Sequence, residues 1–131
     1  MSHRPLRSVL YVDDEPDIRE VVELSLGLGS GLKVATCASG EHALQRLSTW
    51  RPDLILLDVM MPGLDGPGTL ARLRADPELA RIPVVFLTAK ALQAERQRFL
   101  SLGAVAIIAK PFDPLKLAGE VQTIWQGIEH A

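Results

Sequence analysis

The chain has 131 residues, 47% of them hydrophobic and 23% charged, and its formal net charge at pH 7 is −2. That length suits a single domain, and the slightly acidic balance offers no basic surface for direct binding of nucleic acid. One cysteine cannot form an intramolecular disulfide, and no apolar stretch approaches the roughly 20 residues that span a bilayer. We therefore expect one cytoplasmic domain over residues 1–131 that does not contact membranes.

Short apolar, partly β-branched runs alternate with segments of helical periodicity from end to end. The predicted strands cover residues 8–12, 32–36, 54–57, 84–87 and 105–108. Several are apolar at consecutive positions, which is typical of parallel strands covered on both faces. Ser39 and Asp113 are placed to cap the second and the last helix. Five β-α units predict an α/β fold, with one parallel sheet between two layers of helices.

Polar side chains directly follow four of the predicted strands. Asp13 and Asp14 follow the first strand, Asp58 the third, Thr88 the fourth and Lys110 the fifth. Ligands of an open parallel sheet bind beyond the carboxyl ends of its strands, so we expect these side chains to converge. Three acids at close range repel one another, and Mg²⁺ favours carboxylate and phosphate oxygens. The sequence therefore predicts a magnesium site in which Asp58 attacks phosphorus, while Lys110 and Thr88 hold phosphoryl oxygens.

Four motifs at these strand ends resemble the signatures of bacterial two-component receiver domains, such as the single-domain chemotaxis regulators. The motifs are Val12-Asp-Asp-Glu-Pro16, Leu57-Asp-Val-Met-Met-Pro-Gly63, Leu87-Thr-Ala89 and Ala109-Lys-Pro-Phe112. Their order and spacing match over a core from about residue 6 to about residue 128. The resemblance implies a flavodoxin-like (βα)5 three-layer sandwich whose parallel sheet has the order 2-1-3-4-5. Because the chain ends soon after the last helix, we expect no output domain within it.

The resemblance also implies a role for each site residue. Asp58 would be the phosphoacceptor, with Asp14 as a direct Mg²⁺ ligand and Asp13 acting through metal-bound water. The backbone carbonyl of Met60 would complete the protein ligands. No other cofactor is implied, and the domain would be a signalling switch that catalyses only its own phosphorylation and dephosphorylation.

The switch itself departs from the family pattern at one position. Thr88 would bind the phosphoryl group and shift, Lys110 would pair with it, and the peptide bond between Lys110 and Pro111 would be cis. Receiver domains usually carry Tyr, Phe or His three residues before the lysine, and here that residue is Ile107. Isoleucine has no ring to swing inward. We therefore expect phosphorylation to change the surface through shifts of the loop at residues 88–90, or through other side chains.

The resemblance implies partners on two sides of the switch. A sensor histidine kinase or a histidine phosphotransfer protein would supply the phosphoryl group. A downstream protein, or a second copy of the chain, would bind the face formed by the fourth helix, fifth strand and fifth helix. Candidate exposed residues on that face are Gln93, Arg96, Gln97, Lys116 and Glu120.

Three other functions fit parts of the sequence. A magnesium-dependent aspartyl-phosphate phosphatase also uses a strand-end aspartate, but it usually has a second acid where this chain has Met60. A flavin-binding electron carrier shares the architecture, but Asp13 and Asp14 would repel the flavin phosphate. A receiver-like scaffold that works without phosphorylation remains open because of Ile107.

Overall fold

The computed structural model describes residues 4–28, 31–90 and 92–128, so residues 1–3 and 129–131 of the predicted domain lie outside the described part. The strands are β1 (Ser8–Val12), β2 (Lys33–Cys37), β3 (Leu54–Asp58), β4 (Val84–Thr88) and β5 (Ala106–Ala109). The helices are α1 (Pro16–Gly27), α2 (Gly40–Arg46), α3 (Gly66–Ala75), α4 (Gln93–Ser101) and α5 (Pro114–Gly127). None of the described helices is long and apolar enough to cross a membrane.

All strand pairs are parallel, and the order across the sheet is β2-β1-β3-β4-β5. This confirms the predicted flavodoxin-like α/β fold and its strand order. The register brings the carboxyl ends of the strands to one edge: Val12 lies opposite Leu57, and Asp58 lies opposite Leu87. The residues that follow the strands therefore share that edge, which is where the sequence placed the site.

The core lies on both faces of the sheet. Along β1 the side chains alternate, because successive residues of a strand point to opposite faces. Val9 and Tyr11 belong to the cluster that includes buried residues of α1 and α5. Leu10 and Val12 belong to the cluster that includes residues of α2, α3 and α4. Every residue of β3 and β4 is buried, as the continuous apolar runs predicted.

Two predicted helix caps are present with their expected hydrogen bonds. The Ser39 side chain accepts from the His42 N–H at 3.0 Å, and the Asp113 side chain accepts from the Leu115 N–H at 2.9 Å. Each cap satisfies a backbone donor that has no partner within its own helix. The last cap fixes where α5 begins, directly after the loop that carries Lys110.

Candidate phosphoryl-accepting site

Three carboxylates meet at the carboxyl edge of the sheet. One oxygen each from Asp13, Asp14 and Asp58 lies within 4.8 Å of the others. Asp13 is fully buried and Asp58 is 4% exposed, whereas Asp14 lies at the surface. The cluster is therefore closed on the side of the sheet and open to solvent at Asp14.

Lys110 lies between two of these acids. Its Nζ is 2.9 Å from Oδ2 of Asp13 and 3.2 Å from Oδ1 of Asp58. Burial alone would lower the pKa of Lys110, but the carboxylates of Asp13 and Asp58 outweigh burial and raise it. The ammonium therefore stays charged. Its backbone N–H donates to the Thr88 carbonyl at 2.8 Å, and its peptide bond to Pro111 is cis, as the motif implied.

The charge of Asp58 is only partly compensated. Burial raises the pKa of its carboxyl from 3.8 to about 6, and the charge of Asp13 acts in the same direction. Lys110 acts against both, but it is shared with Asp13. A carboxylate with a raised pKa among like charges gains from any cation that joins the cluster.

The backbone behind Asp58 is packed tightly against the start of α3. Gly66 approaches so closely that a Cβ there would lie 2.6 Å from the Asp58 carbonyl oxygen and 2.8 Å from the Val59 Cα. The N–H of Gly66 donates to the Val59 carbonyl at 3.0 Å, and Asp65 caps the helix by accepting from the Gly68 N–H. These contacts fix the end of β3 and therefore the position of the Asp58 carboxylate.

Thr88 and Met60 occupy the flanks of the cluster. Thr88 is 2% exposed, and its Oγ1 accepts from the Lys90 N–H at 2.9 Å. The hydroxyl oxygen is thus joined to the loop after β4, and its hydrogen is not donated to any other residue in the described part of the chain. The side chain of Met60 is 67% exposed, and the residue follows β3 by two positions.

Ile107 lies on the edge strand β5, opposite Phe86. It is partly buried and packs against the cluster that contains Phe86 and Phe99. The rings of Phe86 and Phe99 meet edge to face, with 5.1 Å between their centroids. The position thus contributes an aliphatic contact to the α4 side of the sheet.

One residue of the site was missed by the sequence reasoning. Tyr11 is fully buried, and its hydroxyl donates to Oδ2 of Asp13 at 2.7 Å. Burial and the hydrogen bond to Asp13 raise the pKa of Tyr11, so the phenol keeps its proton. The available signal was the spacing, because residues two apart on a strand point to the same face, and Tyr11 is two residues before Asp13.

The donor set suits a hard divalent cation. Its oxygens come from three carboxylates, two of them on buried or nearly buried residues, and within the described part of the chain only Lys110 forms ion pairs with them. Mg²⁺ prefers such oxygen ligands and retains water where the site is open, as it is at Asp14. The residues present therefore fit Mg²⁺.

The doubly wound parallel sheet with the order β2-β1-β3-β4-β5 matches the structures of chemotaxis-regulator-like receiver domains. The chain belongs to the response regulator receiver domain family, whose model matches residues 9–122. This confirms the resemblance drawn from the four motifs.

Individual relatives agree with the family assignment. The chain is 39% identical over 124 residues to a probable transcriptional regulator, ycf27, of Cyanophora paradoxa, covering 95% of this chain and 50% of the relative. It superposes on the chemotaxis response regulator CheY4 of Vibrio cholerae with a TM-score of 0.84 at 31% identity, over 91% of this chain and 98% of that one.

A third relative is a receiver domain of a histidine kinase. The signal receiver domain of a signal transduction histidine kinase from Syntrophus aciditrophicus gives a TM-score of 0.81 at 33% identity, over 95% of this chain and 94% of that one. The chain spans about half the length of the curated relatives it matches.

Proposed function

We propose that this chain accepts a phosphoryl group on Asp58 from a sensor histidine kinase or a histidine phosphotransfer protein. The acyl phosphate then changes which proteins the chain binds. One observation carries the proposal: Lys110 joins the buried Asp13 to Asp58, while Asp14 completes a three-carboxylate cluster that is open to solvent. Packing does not require this arrangement, because it concentrates mutually repelling acids at the ends of the neighbouring strands β1 and β3.

The chemistry is an in-line transfer. A carboxylate oxygen of Asp58 bonds to phosphorus as the bond between phosphorus and the donor's imidazole nitrogen breaks, and the imidazole leaves with the electron pair. Lys110 pairs with one phosphoryl oxygen, from its place 3.2 Å from Asp58. The Thr88 hydroxyl donates to another, since its hydrogen bonds to no other residue among those that the structure describes.

Mg²⁺ would be held by Asp14 directly, by Asp13 through water, and by Asp58 and the Met60 carbonyl. When bound, it neutralises the acidic cluster and the charge of the incoming phosphoryl group. Asp58 then stays ionised and nucleophilic at neutral pH, although burial raises its pKa to about 6.

Phosphorylation would act by changing a contact between this chain and another protein in the cytoplasm. The face formed by α4, β5 and α5 would bind a downstream protein or a second copy of the chain. Its predicted contact residues are all exposed: Gln93, Arg96, Gln97, Lys116 and Glu120. With Ile107 in β5, the loop from Thr88 to Lys90 is the element that couples the site to this face.

Intact-mass measurement tests the proposal. The protein is incubated with magnesium chloride and acetyl phosphate, and separately with a phosphorylated histidine phosphotransfer protein. We expect the gain of one phosphoryl group, absent in Asp58→Asn and in excess EDTA. Asp76→Asn, which alters an exposed acid after α3, should be phosphorylated like the unmodified protein.

Intact mass, together with an assay of released inorganic phosphate, separates the other functions. No mass gain from any donor would overturn the proposal and favour a scaffold that works without phosphorylation. Continued release of inorganic phosphate over many turnovers, without accumulation of the phosphorylated form, would indicate a phosphatase.

A further inference from the structure

We propose that Tyr11 is a positioning residue of this site, which acts through Asp13 and sets how Lys110 is shared between Asp13 and Asp58. The inference rests on the proposed function, because it assigns a role within the phosphoryl-accepting site. It adds a residue that none of the four sequence motifs singles out for this role.

The carboxylate of Asp13 is held by three donors. Its Oδ1 accepts from the Glu15 N–H at 3.0 Å, and its Oδ2 accepts from the Tyr11 hydroxyl at 2.7 Å and from Lys110 Nζ at 2.9 Å. Asp13 is fully buried, so water does not replace any of these donors. The carboxylate therefore cannot rotate without breaking a buried hydrogen bond.

The position of Tyr11 is fixed by burial and by the sheet, as that of Asp13 is fixed by its three hydrogen bonds. It is fully buried in β1, where its neighbours across the sheet are Thr36 of β2 and Leu56 of β3. The ring belongs to the core cluster on the α1 and α5 face. The hydroxyl is thus presented to Asp13 by the sheet itself, and its direction does not depend on a loop.

Oδ2 of Asp13 is shared between two donors. Tyr11 and Lys110 both donate to Oδ2 of Asp13, and a strong donor at a carboxylate oxygen weakens that oxygen's attraction for a second donor. Lys110 is thereby left able to reach Asp58, 3.2 Å away. Without the hydroxyl, Lys110 would pair more tightly with Asp13 and be less available to the phosphoryl group.

The same hydroxyl affects cation binding in the opposite direction. A hydrogen-bond donor withdraws charge from the carboxylate, so its removal makes the acidic cluster more negative and a better site for Mg²⁺. Tyr11→Phe should therefore bind Mg²⁺ more tightly and yet be phosphorylated more slowly. General loss of packing would not produce these opposite changes.

The experiment is a double-mutant cycle on the whole 131-residue chain. Tyr11→Phe, Asp13→Ala and the double variant are titrated with magnesium chloride by NMR chemical shifts. Their phosphorylation rates with acetyl phosphate are then measured at saturating Mg²⁺. Val121→Ala is the control for core damage, because Val121 lies in the same cluster as Tyr11 and has no polar group.

We expect Tyr11→Phe to lower the Kd for Mg²⁺ by about two- to fivefold and to slow phosphorylation by about three- to tenfold. Both effects should vanish when Asp13 is already alanine. The proposal is overturned if the effects persist in the Asp13→Ala background, if either quantity does not change, or if both change as in Val121→Ala.

A second measurement does not depend on the variant folding. Tyr11 is the single tyrosine of the chain, so protein grown with 3-fluorotyrosine gives one ¹⁹F resonance. That resonance should shift when magnesium chloride is added, and an unchanged resonance in protein that binds Mg²⁺ would overturn the proposal. Failure of the unmodified protein to become phosphorylated would instead contradict the proposed function, because the ¹⁹F titration does not require phosphorylation.

Discussion

At the scale of single residues, Asp58 combines burial with incomplete charge compensation. It lies at the end of a strand in the middle of the sheet, and Lys110 is divided between it and Asp13. Burial and the nearby Asp13 raise its pKa to about 6. A raised pKa means that the folded protein, in the absence of a cation, is destabilised by ionisation of this carboxyl.

The raised pKa of Asp58 makes the free energy of unfolding depend on pH. The folded protein binds the Asp58 proton more tightly than the unfolded chain does, so the resulting stabilisation is complete below pH 3.8 and is lost as the pH rises through about 6. Asp58→Asn should therefore raise the free energy of unfolding at pH 7 by about 1–3 kcal/mol in EDTA. Urea unfolding at pH 5 and pH 7 measures this.

The gain from Asp58→Asn should be larger at pH 7 than at pH 5. Saturating magnesium chloride is the control, because a cation that compensates Asp58 should shrink the gain. A variant that is less stable than the unmodified protein at pH 7 without Mg²⁺ would show that Lys110 already compensates Asp58 in full.

The sequence predicts the residues of the cluster, whereas for Tyr11 it offers only the spacing of two residues from Asp13. Asp13 and Lys110 directly follow strands and Asp58 ends one, and parallel strands bring such positions to one edge. Tyr11 lies inside a strand, where an aromatic residue most often serves packing. Its hydrogen bond to Asp13 depends on the ring's orientation, which a linear pattern does not specify.

At the scale of secondary-structure elements, Arg74 connects the end of α3 to two loops. Its guanidinium donates to the carbonyls of Ala80 and Ile82, at 3.1 and 3.0 Å, and to the carbonyl of Gly103 at 3.0 Å. Burial lowers the pKa of Arg74, although three carbonyl oxygens surround it. The side chain thus joins the segments that enter β4 and β5.

Loss of these hydrogen bonds should lower the free energy of unfolding and leave the phosphorylation rate unchanged. Arg74→Met should lower the free energy of unfolding by about 2–4 kcal/mol, because carbonyls in partly buried segments lose their donors. Arg74→Lys should recover only part of the loss, since an ammonium does not reproduce the planar geometry of the guanidinium. Chemical unfolding measures the stability of both variants. A phosphorylation rate that falls together with stability would show that Arg74 also affects the phosphoryl-accepting site.

The bounds of two strands differ from those that the sequence predicts. The structure places β2 at Lys33–Cys37 and β5 at Ala106–Ala109, each one residue later than predicted. The predictions followed the apolar runs, whereas the strands are bounded by pairing with β1 and β4. The helix caps Ser39 and Asp113 were predictable because a cap depends on only three or four neighbouring residues.

At the scale of the whole molecule, the folded sheet assembles a cluster of three carboxylates that the unfolded chain lacks. Asp13, Asp14 and Asp58 meet only when β1 and β3 are paired. A ligand that binds the folded state alone stabilises it. Free Mg²⁺ at about ten times its Kd should add about 1.4 kcal/mol, which raises Tm by about 3–6 °C.

Thermal unfolding with magnesium chloride, compared with potassium chloride at equal ionic strength, checks this prediction. The rise in Tm should shrink as the pH falls below about 6, because protonation of Asp58 competes with the cation. Asp14→Asn should reduce it at neutral pH. An equal rise with both salts would show general screening of charge and no specific site.

Among the described residues, helix α4 has fewer buried residues than any other helix. Phe99 is its only buried residue among those described, and Leu92 precedes it without a side-chain cap. Displacing the amino-terminal turns of α4 would therefore break few favourable contacts, and the two conformations of a switch would differ little in free energy. Modification of a single side chain can overcome a free-energy difference of a few kcal/mol between two conformations. Modification of Asp58 would therefore be enough to displace a helix with so few buried contacts.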